Sequence, residues 1–159
     1  MLNTNIGLGV RRATSPRLRG LTVFILILLA AQFLLGMFLN LFVTIPTNHP
    51  GANPPEYFSG VYYSVTWAIT SPTSPLWLLL HASLGLVLVV LALVLLISAI
   101  ASRKGSWIAV AIIGLIGVLG AGFNGGSFLN YNHDFSSMLM AVGFILAMLT
   151  YSLGLARGK

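Results

Sequence analysis

Residues 76–101 read LWLLLHASLGLVLVVLALVLLISAIA, an uninterrupted apolar run. A helix of about 26 residues rises about 1.5 Å per residue, which is enough to cross the ~30 Å hydrocarbon core of a bilayer. The run carries a single ionisable side chain, that of His81. Ionisable groups inside membrane spans are costly and usually mark a cofactor, an ion path or a buried partner. His81 is therefore the first candidate functional residue.

The whole chain has the composition of a membrane protein. Of its 159 residues, 57% are hydrophobic and 6% are charged, whereas about a quarter of the residues in a soluble domain are charged. Four apolar segments are long enough to span, at residues 21–43, 76–101, 107–123 and 135–155. All 7 prolines lie outside them, which favours uninterrupted helices. We predict one all-α domain over residues 1–159, a four-helix antiparallel transmembrane bundle.

The basic residues predict the orientation of this bundle. All 8 of them lie before the first span, between the second and third, or after the fourth, and hence on one side. The positive-inside rule makes that side cytoplasmic, with both termini, so the loops at 44–75 and 124–134 face outward. Orientation accounts for the +6 net charge, so we expect contact with membrane lipid and not with nucleic acid. We place the protein in the plasma membrane of a prokaryote.

The N-terminal segment and the absence of cysteine restrict the structures and functions that are possible. Residues 1–19 are polar and basic, and we expect a loosely ordered tail there. The first span is longer than the apolar region of a secretory signal, so we interpret it as a retained helix. The chain contains no cysteine, which excludes disulfides, iron–sulfur ligation and thiolate catalysis.

The first outer loop contains a second kind of apolar segment. Its opening, residues 46–55, is too rich in proline for regular structure. Tyr57–Thr70 is apolar and aromatic but too short to span, so we predict a helix that lies at the outer surface and caps the bundle. His49 falls in the irregular part, where we expect it to be solvated or locally hydrogen-bonded and not a ligand.

Polar and small residues recur on the predicted first helix. Gln32, Gly36 and Asn40 are spaced by four, so they share one face that should look into the bundle. This stripe suits helix packing, because amide and small residues are common at membrane helix interfaces; it also suits the lining of a cofactor pocket. On the second helix, Gly85 lies one turn from His81 and leaves room for a flat ligand or for a neighbouring backbone. In the packing interpretation, His81 hydrogen-bonds to Gln32 or Asn40 inside a packed bundle and binds no ligand.

The third and fourth spans carry the remaining candidates. Gly114, Gly117 and Gly120 permit close approach by a neighbouring helix, and residues 124–127 are interpreted as a turn. Asn132 is predicted to cap the fourth helix, which places His133 in about its first turn. The alternative for His133 is an interfacial loop residue that binds no ligand.

An internal repeat relates the two histidines. Residues 34–40 read LLGMFLN and residues 118–124 read VLGAGFN, which aligns Gly36 with Gly120 and Asn40 with Asn124. Each segment is followed by an outer loop and then by a helix with one histidine near its outer end. The pattern predicts two helix pairs related by an axis along the membrane normal.

This symmetry would place His81 and His133 on opposite sides of the bundle axis, both in the outer half. Two facing neutral imidazoles are suitable axial ligands for a haem iron. Gly36, Gly85 and Gly120 would make space for the macrocycle. The other candidate pocket residues are Gln32, Asn40 and Asn124. Because the outer side has no Arg or Lys, the haem propionates would have to reach water, tyrosine hydroxyls, backbone amides or the amides of Asn40, Asn124 and Asn130.

The pattern resembles one half of haem A synthase, a protein of two four-helix repeats in which one histidine on the second helix and one on the fourth ligate haem. The resemblance is carried by the segment Gln32-Phe-Leu-Leu-Gly36, by His81-Ala82, by the glycine-rich end of the third helix and by His133. It implies a b-type haem held by His81 and His133. The family places a glutamate just before the corresponding histidine in its catalytic half. Here residues 78–80 are all leucine, so the non-catalytic, haem-holding half is the nearer match and synthase activity is not implied.

Three functions are consistent with these observations. The first is a small membrane cytochrome b, an electron carrier or subunit and not a stand-alone enzyme, which exchanges electrons with quinone or a membrane redox partner. The second is a cofactor-free accessory subunit of a larger membrane complex, in a homo- or hetero-oligomer. The third, a transporter, is disfavoured because the second and fourth helices are almost wholly apolar below their outer third. Hydrolytic catalysis lacks a carboxylate pair or an activated nucleophile.

Overall fold

The structure, a computed structural model, describes residues 16–157. The regular elements of that part are five helices: α1 Pro16–Phe42, α2 Tyr57–Thr70, α3 Leu76–Ala101, α4 Gly105–Tyr131 and α5 Asp134–Arg157. All but α2 are long and apolar enough to cross a membrane. The prediction of an all-α protein with four membrane spans is confirmed. The tail predicted at residues 1–15 lies outside the described part of the chain.

Two helices have the predicted bounds, and α1 begins earlier than expected. The ranges of α2 and α3 coincide with the predicted segments. Helix α1 begins at Pro16, a favourable residue for a first helical turn because the missing N–H would have had no partner there. Residues 16–19, predicted as tail, are therefore helical. The guanidinium of Arg19 donates to the carbonyl of Leu155 at 3.3 Å and joins the start of α1 to the end of α5.

The predicted end of the third span at residue 123, and the loop at 124–134, are wrong. Helix α4 continues to Tyr131, so the loop shrinks to residues 132–133. A Cβ at Gly126 would stand 2.8 Å from Cγ1 of Val61 on α2; this glycine serves close helix packing and not a turn. Asn132 ends α4 in the left-handed conformation, with φ 52°, a conformation that asparagine tolerates. His133 immediately precedes α5 and does not lie in its first turn.

The four long helices pack as a ring. Helix α1 packs against α3 and α5, and α4 packs against the same two helices, whereas α3 and α5 do not contact each other, nor do α1 and α4. The buried core runs through the middle of this ring and includes Ile25, Leu29, Leu88, Ala92, Leu95, Ala111, Ala147 and Tyr151. Apolar side chains on the outside of the ring remain exposed, as expected for helices that face lipid.

The closest helix contact joins α4 and α5. A Cβ at Gly117 would stand 2.7 Å from the carbonyl oxygen of Gly143, and a Cβ at Gly143 would stand 2.7 Å from that of Gly117. The two backbones are thus in direct contact, as small residues allow in membrane helices. Around Gly120, in contrast, a Cβ would meet nothing within 4 Å. The prediction of close approach holds for Gly114 and Gly117 but not for Gly120.

Helix α2 covers one end of the ring, which we call the α2 end. Trp67 and Ala68 of α2 pack with Leu39 near the end of α1 and Leu78 near the start of α3. The hydroxyl of Ser64 donates to the side-chain oxygen of Asn130, near the end of α4, at 2.7 Å. A capping position for this helix was predicted, and its contacts agree with that prediction.

Candidate functional site

The α1–α3 seam contains a polar pair, Gln32 and His81. The side-chain nitrogen of Gln32 lies 3.1 Å from the backbone oxygen of His81 and 3.2 Å from Nε2 of its imidazole. Two further atoms of the pair, His81 Nδ1 and Gln32 Oε1, are buried without a hydrogen-bond partner in the described part of the chain. Unpaired buried polar atoms are rare and ask for an explanation. This pair is therefore the strongest candidate site.

Two glycines make room for the pair. A Cβ at Gly36 would stand 3.1 Å from Cε1 of His81, and a Cβ at Gly85 would stand 3.4 Å from the amide nitrogen of Gln32. Of the residues predicted for the site, Gln32, Gly36, His81 and Gly85 are thus brought together by α1 and α3. Their contact agrees with the packing interpretation of the stripe, in which His81 hydrogen-bonds to Gln32.

Asn40 does not continue the stripe into the bundle. It lies in the last turn of α1 and is exposed. One residue earlier, Leu39 is buried against Leu78 and Trp67, and this apolar contact sets which face of the last turn points inward. The expectation that all three stripe residues look into the bundle is wrong for Asn40.

His133 lies apart from this pair. Its side chain is exposed in the short connection between α4 and α5, and its ring stands edge-on to the ring of Tyr131, with centroids 5.9 Å apart. The contacts of His81 are with α1, so the structure does not bring the two imidazoles into contact. Within residues 16–157, no group of three or more His, Cys, Asp or Glu side chains could hold a metal ion. Both histidines nevertheless belong to the same, α2 end of the ring.

The remaining predicted residues are bonded elsewhere. Asn124 donates to the carbonyl of Gly120 at 2.8 Å, within α4. Asn130, proposed from sequence as a propionate partner, is 2% exposed and accepts the hydroxyl of Ser64. Its role is to tie α4 to α2, which sequence reasoning missed because the segment around it was interpreted as a loop.

His49 is buried by a neighbour distant in the sequence. Its ring stacks on Trp67 with centroids 4.2 Å apart, and its side chain is 8% exposed. Nδ1 donates to the carbonyl of Pro50 at 2.9 Å. Local hydrogen bonding was predicted and is observed, whereas solvation is not. Sequence reasoning missed Trp67 as its partner, since no local pattern joins the two residues.

The described part of the chain has cavities beside the bundle helices. One of about 300 Å³ lies between α1 and α5 and is lined by Ala30, Phe33, Leu34, Phe144 and Met148. Another of about 180 Å³ lies between the loop before α2 and the end of α4; His49, Asn53 and Asn130 are among its lining residues. Neither cavity is lined by His81 or His133.

No family model, curated protein or solved structure matches the chain. The resemblance to haem A synthase rests on the residues quoted for it and stays a prediction.

Proposed function

We propose that this chain is a small b-type cytochrome of the plasma membrane, which binds one haem through His81 and His133. The four spans then form an antiparallel bundle with both termini in the cytoplasm, and the α2 end faces outward. Arg103 and Lys104, between α3 and α4, and Arg157, in the last turn of α5, lie away from α2. Their position supports this orientation, because basic residues favour the cytoplasmic side.

The observation that carries the proposal is the partly buried imidazole of His81, whose Nδ1 is buried. It is the only ionisable side chain of α3, and one of its ring nitrogens lacks a partner. A histidine kept inside a membrane span with an unpaired nitrogen has a cost that a ligand can offset. Gly36 lets this ring lie against α1, because a Cβ there would stand 3.1 Å from Cε1 of His81.

The donor chemistry of the two histidines fits a haem. His81 lies near the start of α3 and His133 just before α5, and these helices do not contact each other. A macrocycle ligated by both would lie at the α2 end of the ring. Gln32 holds Nε2 of His81 at 3.2 Å, and Nδ1 is the ring nitrogen without a partner in the described chain; His81 and His133 would hold the group. When bound, haem supplies a one-electron couple, which suits electron exchange with quinone or a redox partner subunit.

Haem content tests the proposal. The purified chain should contain about one haem per protein and show a Soret band, and His81→Ala and His133→Ala should each lose most of it. His49→Ala is the matched control, because His49 lies at the same end but is already bonded to Pro50. A wild-type protein without the band, or a band that survives the double substitution of His81 and His133, would overturn the proposal.

A cofactor-free accessory subunit is the second candidate function. It is favoured by the hydrogen bonds of Gln32 to His81, which give this histidine a role in joining α1 to α3 without any ligand. This candidate predicts colourless protein that co-purifies with other membrane chains. A pigmented monomer would contradict it.

A further inference from the structure

The imidazole of His49 has one nitrogen that binds nothing in the described chain. Its Nδ1 lies 2.9 Å from the backbone oxygen of Pro50. Because a carbonyl oxygen only accepts hydrogen bonds, Nδ1 carries the proton, and Nε2 of the neutral ring is a bare acceptor. Within residues 16–157 the ring forms no second hydrogen bond, so Nε2 has room for a donor from another molecule.

This acceptor is held in a fixed position. The ring of His49 stacks on Trp67 with centroids 4.2 Å apart and an angle of 11° between the planes, and its side chain is 8% exposed. The loop that carries it is tied to the end of α4, because the backbone N–H of Asn53 donates to the carbonyl of Asn130 at 2.8 Å. A group that is already fixed loses little freedom when a ligand binds to it.

His49 lines the cavity of about 180 Å³ between the loop before α2 and the end of α4. Its Nε2 is not among the fully buried unpaired atoms of the described chain, so this nitrogen remains accessible to a molecule in the cavity. A cavity of about 150 Å³ holds a benzene ring, and this one therefore has space for a single ring with a small substituent. Ile45, Phe128 and Leu129 are among the other lining residues, and they favour an apolar body for the ligand.

The charge of the lining restricts the ligand further. In the described part of the chain, the cavity is lined by no Lys, Arg, Asp or Glu, so a charged ligand would have no ion-pair partner there. We propose that the cavity is a binding site for a small neutral phenol, whose hydroxyl donates to Nε2 of His49. The phenol ring packs among apolar and aromatic side chains that include Phe128 and Tyr131. This site does not involve His81 or His133 and does not depend on haem.

Nitrogen NMR of the full-length chain, labelled with ¹⁵N at histidine, tests the site with phenol as the probe. The His49 signals, identified by their loss in His49→Phe, should show a protonated Nδ1 and a bare Nε2, and phenol should shift the Nε2 signal until the site is saturated. Anisole has the same ring but no hydroxyl proton and should leave the signal unchanged. Cyclohexanol has the hydroxyl but no aromatic ring and should act only at higher concentration. A protonated Nε2 before the probe is added, no response to phenol, or an equal response to either of the other compounds would overturn the proposal.

A substitution that fills the cavity tests where phenol binds. Ala52 lines the cavity, and in Ala52→Leu the larger side chain takes up part of the space while the His49 ring is retained. The phenol concentration at half-saturation should rise at least about tenfold, which corresponds to about 1.4 kcal/mol. Asn48→Leu is the matched control, because Asn48 is an exposed residue of the same loop that does not line the cavity; it should respond like the wild type. An undiminished response in Ala52→Leu would place phenol elsewhere and overturn the proposal. If the signals before phenol is added show that Ala52→Leu disrupts the loop, the comparison of phenol with anisole in the wild type still decides.

Discussion

The α4–α5 seam and the α1–α3 seam join helices by different means. At the α4–α5 seam, Gly117 and Gly143 bring two backbones into contact, and no side chain stands between them. At the α1–α3 seam, Gly36 and Gly85 leave room for polar side chains, Gln32 and His81, whose hydrogen bonds are incomplete. The contact between Gly117 and Gly143 is explained by packing alone. Departures from full hydrogen bonding concentrate at functional sites, so the second seam is the place to look for function.

The largest expected effect breaks the α4–α5 seam. Gly117→Leu places a side chain where a Cβ already meets backbone at 2.7 Å, and backbone cannot yield without separating the helices. We expect a loss of at least about 3 kcal/mol in the free energy of unfolding, measured by denaturant titration in detergent micelles. Gly120→Leu, on the same helix with nothing within 4 Å, is the control. Equal losses in both variants would contradict the difference drawn between these glycines.

A smaller effect is expected at the α1–α3 seam. In Gly36→Ala the new methyl would stand 3.1 Å from Cε1 of His81, so the ring has to move by a few tenths of an ångström. We expect a loss of about 1 kcal/mol in stability together with a changed ¹⁵N spectrum of His81. Gly20→Ala on the same helix, where a Cβ meets nothing within 4 Å, should change neither. An unchanged His81 spectrum in Gly36→Ala would show that the glycine does not support the ring.

Tyr151 sharpens the comparison, because it puts one unpaired atom at the α4–α5 seam. Its ring fills the space beside Gly114, and its hydroxyl is buried without a hydrogen-bond partner in the described chain. The two other unpaired atoms of the described chain, Gln32 Oε1 and His81 Nδ1, both belong to the α1–α3 pair, so neither is a partner for this hydroxyl. Removing it in Tyr151→Phe should be neutral or stabilising by up to about 1 kcal/mol. A thermal melt that shows clear destabilisation would indicate a bonding partner and a role for this hydroxyl.

The smallest effect lies outside both seams, at the start of α2. Glu56 accepts the backbone N–H groups of Phe58 and Ser59 at 2.9 and 2.6 Å, and the bonds from Ser59 and Phe58 lower the pKa of this carboxyl from 4.5. Because this carboxyl has a lower pKa in the folded state than in the unfolded state, its ionised form stabilises α2 at pH values above the unfolded-state pKa. This stabilisation is lost as the pH falls through the folded-state pKa. The protection factors of the α2 amides, obtained from hydrogen exchange after correction for the intrinsic slowing in acid, should therefore fall in acid, and Glu56→Gln should flatten this dependence. A pH dependence that persists in Glu56→Gln would assign it to another group.

Hydropathy and proline placement were sufficient to predict the four spans, and aromatic composition was sufficient for α2. The end of α4 was not predictable in this way, because Gly125 and Gly126 are typical of a turn until Val61 of α2 is known to pack against Gly126. Asn40 could not be predicted for a similar reason. Helical spacing places it one turn after Gly36 on the same face, but Leu39 packs against Leu78 and leaves the Asn40 side chain exposed. Local patterns report which residues share a face, whereas tertiary contacts decide what that face meets.

For the candidate site, sequence spacing grouped Gln32 with Gly36 and His81 with Gly85, and the structure places these two pairs together. The pairing of His81 with Gln32 was one of two interpretations of the polar stripe. What spacing could not supply was which atoms of Gln32 and His81 bond to each other and which two atoms stay unpaired, since these depend on distances between two helices.

Electron paramagnetic resonance of the oxidised, haem-loaded chain tests the central claim most directly, because its signal reports how many strong axial ligands the iron has. Ligation by His81 and His133 predicts a low-spin ferric signal in the wild type, which converts to high spin when either histidine is replaced by alanine. A high-spin signal in the wild type, a low-spin signal that survives both substitutions, or no haem signal at all would contradict it.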